Sequence, residues 1–263
     1  MKQIQSYEEL APLLSAQLKR GVVTNAVLTP EDWRQEVAAG AVSYKSWPGG
    51  LLLLRRREGH AVLSFYLQEL SVPTDLTWDG PTVLEIAARP RDEGLWKAAD
   101  LWRGQGLEDL FRRERLVLPK DTIIDAGSCP LAARIAGIAD AEAIWRLLQD
   151  NFDPVTGCLP TRDRLARDLE TGHVVCVDAP DGKAAGVLHI TTGRGSTQLR
   201  HLAVGEPYRR QGAAQSLLAR YLEHTGFAKS LVWVRTDNEP ARRFYTKNGY
   251  TPDGWTSVVL YRA

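Results

Sequence analysis

The run Arg209-Arg210-Gln211-Gly212-Ala213-Ala214 has the residue types and order of an anion cradle. Gly212, Ala213 and Ala214 carry no bulky side chain, so an anion can approach the backbone amides, while Arg209 and Arg210 bring positive charge alongside. Such amides must be unpaired and aimed together, as they are in the first turn of a helix. The chain supplies that helix. Across residues 215–224, Leu217, Leu218, Tyr221 and Leu222 fall on one face, so a helix is predicted to begin close to Gly212. The apolar strand Leu199-Arg200-His201-Leu202-Ala203-Val204 leads into the turn. The order lacks the Gly-Lys-Ser/Thr end of a nucleotide P-loop, and no Gly-x-Gly-x-x-Gly follows a strand, which disfavours ATP and dinucleotides. Taken alone, the hexapeptide reads equally well as a plain helix start whose Gly-Ala pair permits tight packing.

A second element follows: strand Leu231-Val232-Trp233-Val234, then Thr236-Asp237-Asn238-Glu239-Pro240, then a helix through Phe244-Tyr245, closed by Asn248-Gly249-Tyr250. Asn238 or Asp237 suits the N-cap, Pro240 the first turn and Gly249 a left-handed C-cap. The two segments together, at this separation, resemble the GNAT superfamily of acetyl-CoA-dependent N-acyltransferases. Upstream order agrees over roughly the second half of the chain. Residues 134–136 read as a strand, 141–149 and 162–171 as helices, 174–177 and 184–191 as strands, and Asp181-Gly182 as a hairpin turn.

The resemblance implies acetyl-CoA as cosubstrate, with no metal. It implies that the turn, from Arg209, Arg210 and Gln211 through Gly212, Ala213, Ala214 and Gln215, binds the CoA pyrophosphate. The strand Leu202-Ala203-Val204 would splay from its neighbour and offer backbone groups to the pantetheine arm and thioester carbonyl. Asn238 would hydrogen-bond that arm. Tyr245 is assigned as general acid: a phenol with a pKa near about 10 is protonated at neutral pH and can meet a departing thiolate.

No general base stands out. The position where some relatives carry a glutamate is Trp233, and the strand face where others place a glutamate or histidine holds Gln198 and Arg200. Alternation turns His201 away from that face. His189, a water chain or an amine that arrives neutral remain as alternatives. Trp233 favours an apolar or aromatic acceptor over a polycation. The loop 151–160 lies where the family builds its acceptor mouth, and Asp153 there is an ammonium partner or a turn residue.

Residues 1–118 read as a worn copy of the second half. Trp102 mirrors Tyr245 and Gly106 mirrors Gly249 at one offset, and Leu116-Val117-Leu118 mirrors Val259-Leu260-Tyr261. At a second offset Val42-Ser43-Tyr44 mirrors Val174-Val175-Cys176, and Trp47-Pro48-Gly49-Gly50 mirrors Ala179-Pro180-Asp181-Gly182. Between residues 68 and 83 there is no room for a phosphate-binding helix, and Trp102 cannot deliver a proton. The fold class is therefore α/β (α+β), two GNAT-like domains, each a mixed, mainly antiparallel sheet flanked by helices. Residues 1–118 form the degenerate domain, 119–131 a linker and 132–263 the catalytic N-acetyltransferase domain.

At 263 residues and 44% hydrophobic the chain suits two modest domains or one large one, and two agree with the repeat; a net charge of +1 exerts no global pull on nucleic acid or anionic membrane. Cys129, Cys158 and Cys176 are odd in number and widely spaced, and the histidines show no metal spacing, which excludes a disulfide framework and points to the cytoplasm. The N-terminal residues lack the apolar core of a secretory signal, and no run is long enough to span a membrane. The resulting expectation is an N-acetyltransferase acting on a primary amine of a small molecule or peptide, as monomer or homodimer. The alternative is an acyl-CoA-binding regulatory or scaffold module without turnover.

Overall fold

The computed structural model describes residues 1–126, 131–180, 184–193 and 195–263. The end of the expected linker, with Gly127, Ser128 and Cys129, and the expected Asp181-Gly182 turn lie outside the described residues.

The chain begins with β1 (Lys2–Gln3), α1 (Tyr7–Ala16), β2 (Val23–Thr24), α2 (Pro30–Ala38), β3 (Val42–Trp47), β4 (Gly50–Arg57), β5 (His60–Leu67), β6 (Thr82–Ala88), α3 (Glu93–Gly104) and β7 (Glu108–Leu118). It continues with β8 (Ala133–Ile135), α4 (Ala141–Asn151), α5 (Arg162–Glu170), β9 (Val174–Asp178), β10 (Ala184–Gly193) and β11 (Ser196–Val204). The final elements are α6 (Ala213–His224), β12 (Lys229–Arg235), α7 (Glu239–Lys247) and β13 (Thr251–Arg262). Helices start where side chains can take up loose amides. Thr29 and Asp32 form a capping box on α2, Thr161 accepts from the Arg164 amide at 3.2 Å, and Asn238 accepts from the Ala241 amide at 3.1 Å.

Two compact units result. Unit 1 comprises Met1–Glu114, Arg235–Asp237 and Gly254–Ala263; unit 2 comprises Arg115–Val234 and Asn238–Asp253. In unit 1, β1, β3, β4 and β5 pair antiparallel in that order, β6 lies parallel to β5, and β13 runs antiparallel along β6 from Thr256↔Ala88 to Arg262↔Thr82. In unit 2, β8, β9, β10 and β11 pair antiparallel in order, and β12 lies parallel to β11. Both sheets are thus mixed and mainly antiparallel, with helices on both faces. In unit 2, α6 and α7 pack on one face around Leu217, Tyr221, Val232 and Tyr245, and α4 and α5 on the other around Ile144, Leu148, Leu165 and Val187.

The units interleave along the sequence. Val258 and Leu260, near the C-terminus, are buried in the core of unit 1 with Leu84, Ile86 and Trp102. Leu116 and Leu118, at the end of the first half, are buried in the core of unit 2 with Val232 and Tyr245. The compact units therefore do not follow the expected division at residues 118–132. Hydrophobic pattern identifies Leu116–Leu118 and 258–260 as strands but carries no information on which sheet each completes.

The repeat is visible atom by atom at the helix ends. After α3, the amides of Gln105 and Leu107 donate to the Trp102 carbonyl at 3.0 and 3.3 Å, and Gly106 to Arg103 at 3.0 Å. After α7, Asn248 and Tyr250 donate to Tyr245 at 3.0 and 3.1 Å, and Gly249 to Thr246 at 3.0 Å. Gly106 and Gly249 are left-handed, with φ of 86° and 84°, where a side chain is strained. Trp102 and Tyr245 are both buried, and the Trp102 indole N–H has no hydrogen-bond partner among the described residues. Residues 68–81, between β5 and β6, contain no helix, whereas α6 occupies the equivalent connection between β11 and β12.

The two units also treat their parallel strand pair differently. In unit 1, β5 and β6 are paired only at Ala61↔Thr82 and Val62↔Val83. Beyond that point the Asn25 side chain bridges them, accepting from the Phe65 amide at 2.8 Å and donating to the carbonyls of Leu63 at 3.0 Å and Glu85 at 3.1 Å. Next to it β2 pairs with the free edge of β5, Val23↔Leu67 and Thr24↔Tyr66.

The exchange of terminal strands has a measurable outcome. Leu260→Ala, although late in the sequence, is expected to destabilise unit 1 by about 3 kcal/mol and to speed amide exchange in β6 and α3 but not in α6. Leu118→Ala should do the reverse, and hydrogen-exchange mass spectrometry that finds either effect in the other unit would contradict the assignment.

Candidate active site

The predicted cradle is a turn with two left-handed residues, Arg210 (φ 63°) and Gly212 (φ 85°), followed directly by α6. The first helical bond runs from the Ser216 amide to the Gly212 carbonyl at 3.0 Å. The amides of Ala213, Ala214 and Gln215 precede it and so have no acceptor within the helix, which makes the turn a focus of unspent donors. Gly212 makes this geometry accessible because a left-handed residue is needed at the helix entry.

The side chains around the turn are more committed than the sequence suggests. The Arg209 guanidinium donates from Nε to the Val204 carbonyl at 3.0 Å and from Nη2 to Asn151 Oδ1 at 3.0 Å, tying the end of β11 to α4. Its charge was expected to face the turn. Instead, the backbone carbonyl of Val204, expected to serve a ligand, already accepts from it. Gln211 donates to the Pro207 carbonyl at 2.7 Å, and Gln215 to the Asp125 carbonyl at 2.7 Å and Asn248 Oδ1 at 2.8 Å, bracing α6 against the end of α7. Arg210 is exposed.

Upstream of the turn the parallel strands part. β11 and β12 are in register from Ser196↔Lys229 to Leu199↔Val232 and no further, although β11 continues to Val204 and β12 to Arg235. β11 keeps its other partner, with Leu202↔Leu188, Ala203↔Val187 and Val204↔Gly186. A register shift, His189↔His201 followed by Ile190↔Leu199, leaves Arg200 as a bulge at the point of parting. Ala203 turns into the core beneath α4 and α5, while Leu202 and Val204 lean on the core beneath α6.

Tyr245 is brought into that second core, 4% exposed, with its ring edge-on to Tyr250 at 5.2 Å. Burial, and secondarily the nearby Tyr221, push its hydroxyl well above the ordinary phenol value. Around it runs a chain of buried hydroxyls: Tyr221 bonds to Thr197 and to Ser230 at 3.0 Å, and Ser230 to Tyr250 at 2.7 Å. Asn238 heads the same helix, where its side-chain carbonyl caps α7 by accepting from the Ala241 amide at 3.1 Å.

Trp233 lies on the opposite face of β12 from Val232 and Val234, with the Arg115 guanidinium 5.7 Å from its ring, and Arg115 is held by Asp253 at 2.6 and 3.0 Å. The expectation for His201 is overturned. The bulge at Arg200 resets the alternation, so His201 stands directly beside His189 on the α4/α5 face. The rings stack at 5.4 Å, and the two Nδ1 atoms are 3.2 Å apart. Their anchor is a residue that sequence reading missed: Asp168, a buried carboxylate on α5, 2.8 Å from His189 Nε2. Only an acid at a buried helical position, one turn after Arg164, marks it in the sequence.

Three residues that could ligate a metal do meet, Asp140, Cys176 and Asp178, within 4.8 Å. Arg134 holds both carboxylates at 2.7–2.8 Å, and burial pushes the Cys176 thiol up to about 12, so the group has the chemistry of an ion pair. Asp153, expected as an ammonium partner or a turn residue, accepts at Oδ1 from the amides of Val155 and Thr156 and from the Thr156 hydroxyl at 2.8–3.1 Å, the turn role. No helix among the described residues is long and apolar enough to cross a membrane.

With this geometry in view, comparison with known proteins is specific. A sequence profile of the acetyltransferase (GNAT) family matches residues 141–250. A comparison with curated proteins returned no match. Among solved structures, a tandem GNAT protein from the clavulanic acid biosynthesis pathway is similar at a TM-score of 0.59 and 14% identity, covering 98% of this chain and 94% of that one. A GCN5-related N-acetyltransferase from Sphaerobacter thermophilus gives 0.58 and 14%, over 93% and 96%. A GNAT-family acetyltransferase from Colwellia psychrerythraea gives 0.56 and 15%, over 99% and 98%. Residues 141–250 therefore match the acetyltransferase (GNAT) family, and the chain as a whole shares its fold with these solved structures, a tandem GNAT protein among them.

Proposed function

We propose that this chain is an acetyl-CoA-dependent N-acetyltransferase that moves an acetyl group directly to a primary amine of a small molecule or peptide. Residues 132–263 form its catalytic repeat, 119–131 the connection, and 1–118 a degenerate repeat. The observation that carries the reading is the parting of β11 from β12 after Leu199↔Val232, immediately upstream of three helix-start amides with no acceptor in α6. A slot between strands suits an extended amide-containing arm, and the amides of Ala213, Ala214 and Gln215 with Arg210 suit its diphosphate. The degenerate repeat lacks the helix between β5 and β6, and Asn25 already bridges its parted strands.

In the reaction a neutral amine nitrogen attacks the thioester carbon, the C–S bond breaks, and the thiolate takes the Tyr245 proton; the proton lost by the amine passes to solvent, and solvent restores the proton of Tyr245. Burial makes Tyr245 a weaker acid, but a thiolate in the same dry surroundings is raised as well, so the transfer stays matched. Trp233 with the Arg115 guanidinium beside it favours an apolar or aromatic amine over a polycation. The binding-module alternative draws support from Asp253, the carboxylate near Trp233, being engaged by Arg115 instead of free to act as a base.

Measured as free-thiol release from acetyl-CoA across an amine panel, Tyr245→Phe is expected to lower kcat about 10²-fold while binding the cosubstrate as before. Tight CoA binding with no thiol release for any amine would favour the module. Arg210→Ala is expected to weaken acetyl-CoA about tenfold and to leave acetyl-pantetheine unchanged; equal weakening would remove Arg210 from the diphosphate. The phenols of Tyr221, Tyr245 and Tyr250 are raised above the ordinary 10.0. Their contribution to stability is whole below about pH 10 and is lost as pH climbs through the raised folded-state values. The kcat profile should accordingly show no Tyr245-dependent fall below about pH 10.

A further inference from the structure

The buried ionisable cluster on the α4/α5 face takes no part in the chemistry above. It is a linear chain: Asp168 Oδ2 to His189 Nε2 at 2.8 Å, His189 Nδ1 to His201 Nδ1 at 3.2 Å, and His201 Nε2 to the Gly157 carbonyl at 2.9 Å. Both ends are acceptors. The Gly157 carbonyl has no proton to give, and Asp168 is ionised: burial alone would raise its carboxyl, but hydrogen bonds from His189 and Arg164 outweigh that and hold it below the usual carboxylate value. Three contacts across four ring nitrogens therefore need three protons, whereas two neutral imidazoles carry two.

We infer that His189 and His201 share one additional proton and, as positioning residues, pin the loop between α4 and α5 to the sheet through Gly157. Among the described residues, charged or titratable groups beside the pair's Asp168 anchor include two on or just after α5. Arg164 Nε donates to both Asp168 oxygens at 2.9 Å, and His173 Nδ1 lies 3.8 Å from Asp168 Oδ1. The loop itself contributes the Phe152 ring, edge-on to His201 at 4.9 Å, and the Gly157 carbonyl.

The loop is a folded unit hung on that carbonyl. The Gly157 amide bonds to the Asp153 carbonyl at 2.7 Å, and a Cβ on Gly157 would stand 2.5 Å from the same oxygen. Removing the shared proton deletes one link: either two ring lone pairs face each other at 3.2 Å, or His201 turns a bare nitrogen toward the Gly157 carbonyl. The acceptor-side loop is held firmly at low pH and loosened at high pH. Calling it the acceptor side rests on the transferase reading; the proton count does not.

Long-range ¹H–¹⁵N spectra of the full chain at about pH 6 test the count, with signals assigned through His189→Gln and His201→Gln. Three protonated ring nitrogens among the four are expected, and two would overturn the inference. Amide exchange, corrected for intrinsic rate, is expected to show residues 152–160 losing about fivefold in protection between about pH 6 and pH 9, with α4 unchanged. Constant protection in the wild type would overturn it equally, whether or not the glutamine variants fold. Neither measurement uses acyl transfer, so loss of the transferase reading would leave both results standing.

Discussion

Two parallel strands that stop pairing partway along their length leave backbone amides and carbonyls that require partners, and the organisation of this chain follows from that constraint. In unit 1 the demand is met internally: Asn25 and β2 take the edge of β5 where it leaves β6. In unit 2 no other strand among the described residues pairs with β11 on its β12 side beyond Leu199. The same backbone problem has two solutions in one polypeptide. One closes the slot with a side-chain amide, which carries a donor and an acceptor as a peptide group does. The other keeps it beside a helix start rich in unspent donors.

The chemistry around that slot is shaped more by burial than by charge. Tyr245 keeps its proton because its surroundings are dry, and the hydroxyls of Tyr221, Ser230 and Tyr250 satisfy one another instead of turning to solvent. On the other face of the sheet, Asp168 remains ionised under α5 because two cationic or donor groups converge on it. Arg209 links the slot to the helix layer by joining Val204 to Asn151, so the end of the docking strand and the start of the loop after α4 are fixed by one guanidinium.

Much of this was legible in the sequence, for identifiable reasons. The apolar spacing of Leu217, Leu218, Tyr221 and Leu222 placed α6 to within a residue or two, and Asn238, Pro240 and Gly249 bounded α7 because each has a conformational job at its position. The correspondence of Trp102 with Tyr245 survived because the buried aromatic and the left-handed glycine form one helix-ending motif. What pattern could not show was where alternation fails. A single bulge at Arg200 reversed the facing of His201, and Asp168, an acid beside the buried Leu165 and Leu169 of α5, gave no sign that it meets His189. Nor could periodicity say which sheet a terminal strand joins. That is decided by long-range packing.

That last feature bears on how the molecule is made. The strand that finishes the sheet of unit 1, from residue 256 to 262, comes after all of unit 2 in the order of synthesis. Emerging N-terminal repeats usually fold while translation continues, but here Leu84 and Ile86 share their core with Val258 and Leu260, which are made only after the elements of unit 2. Synthesis of that strand, and not completion of residues 1–118, becomes the event that commits the N-terminal unit to its native state.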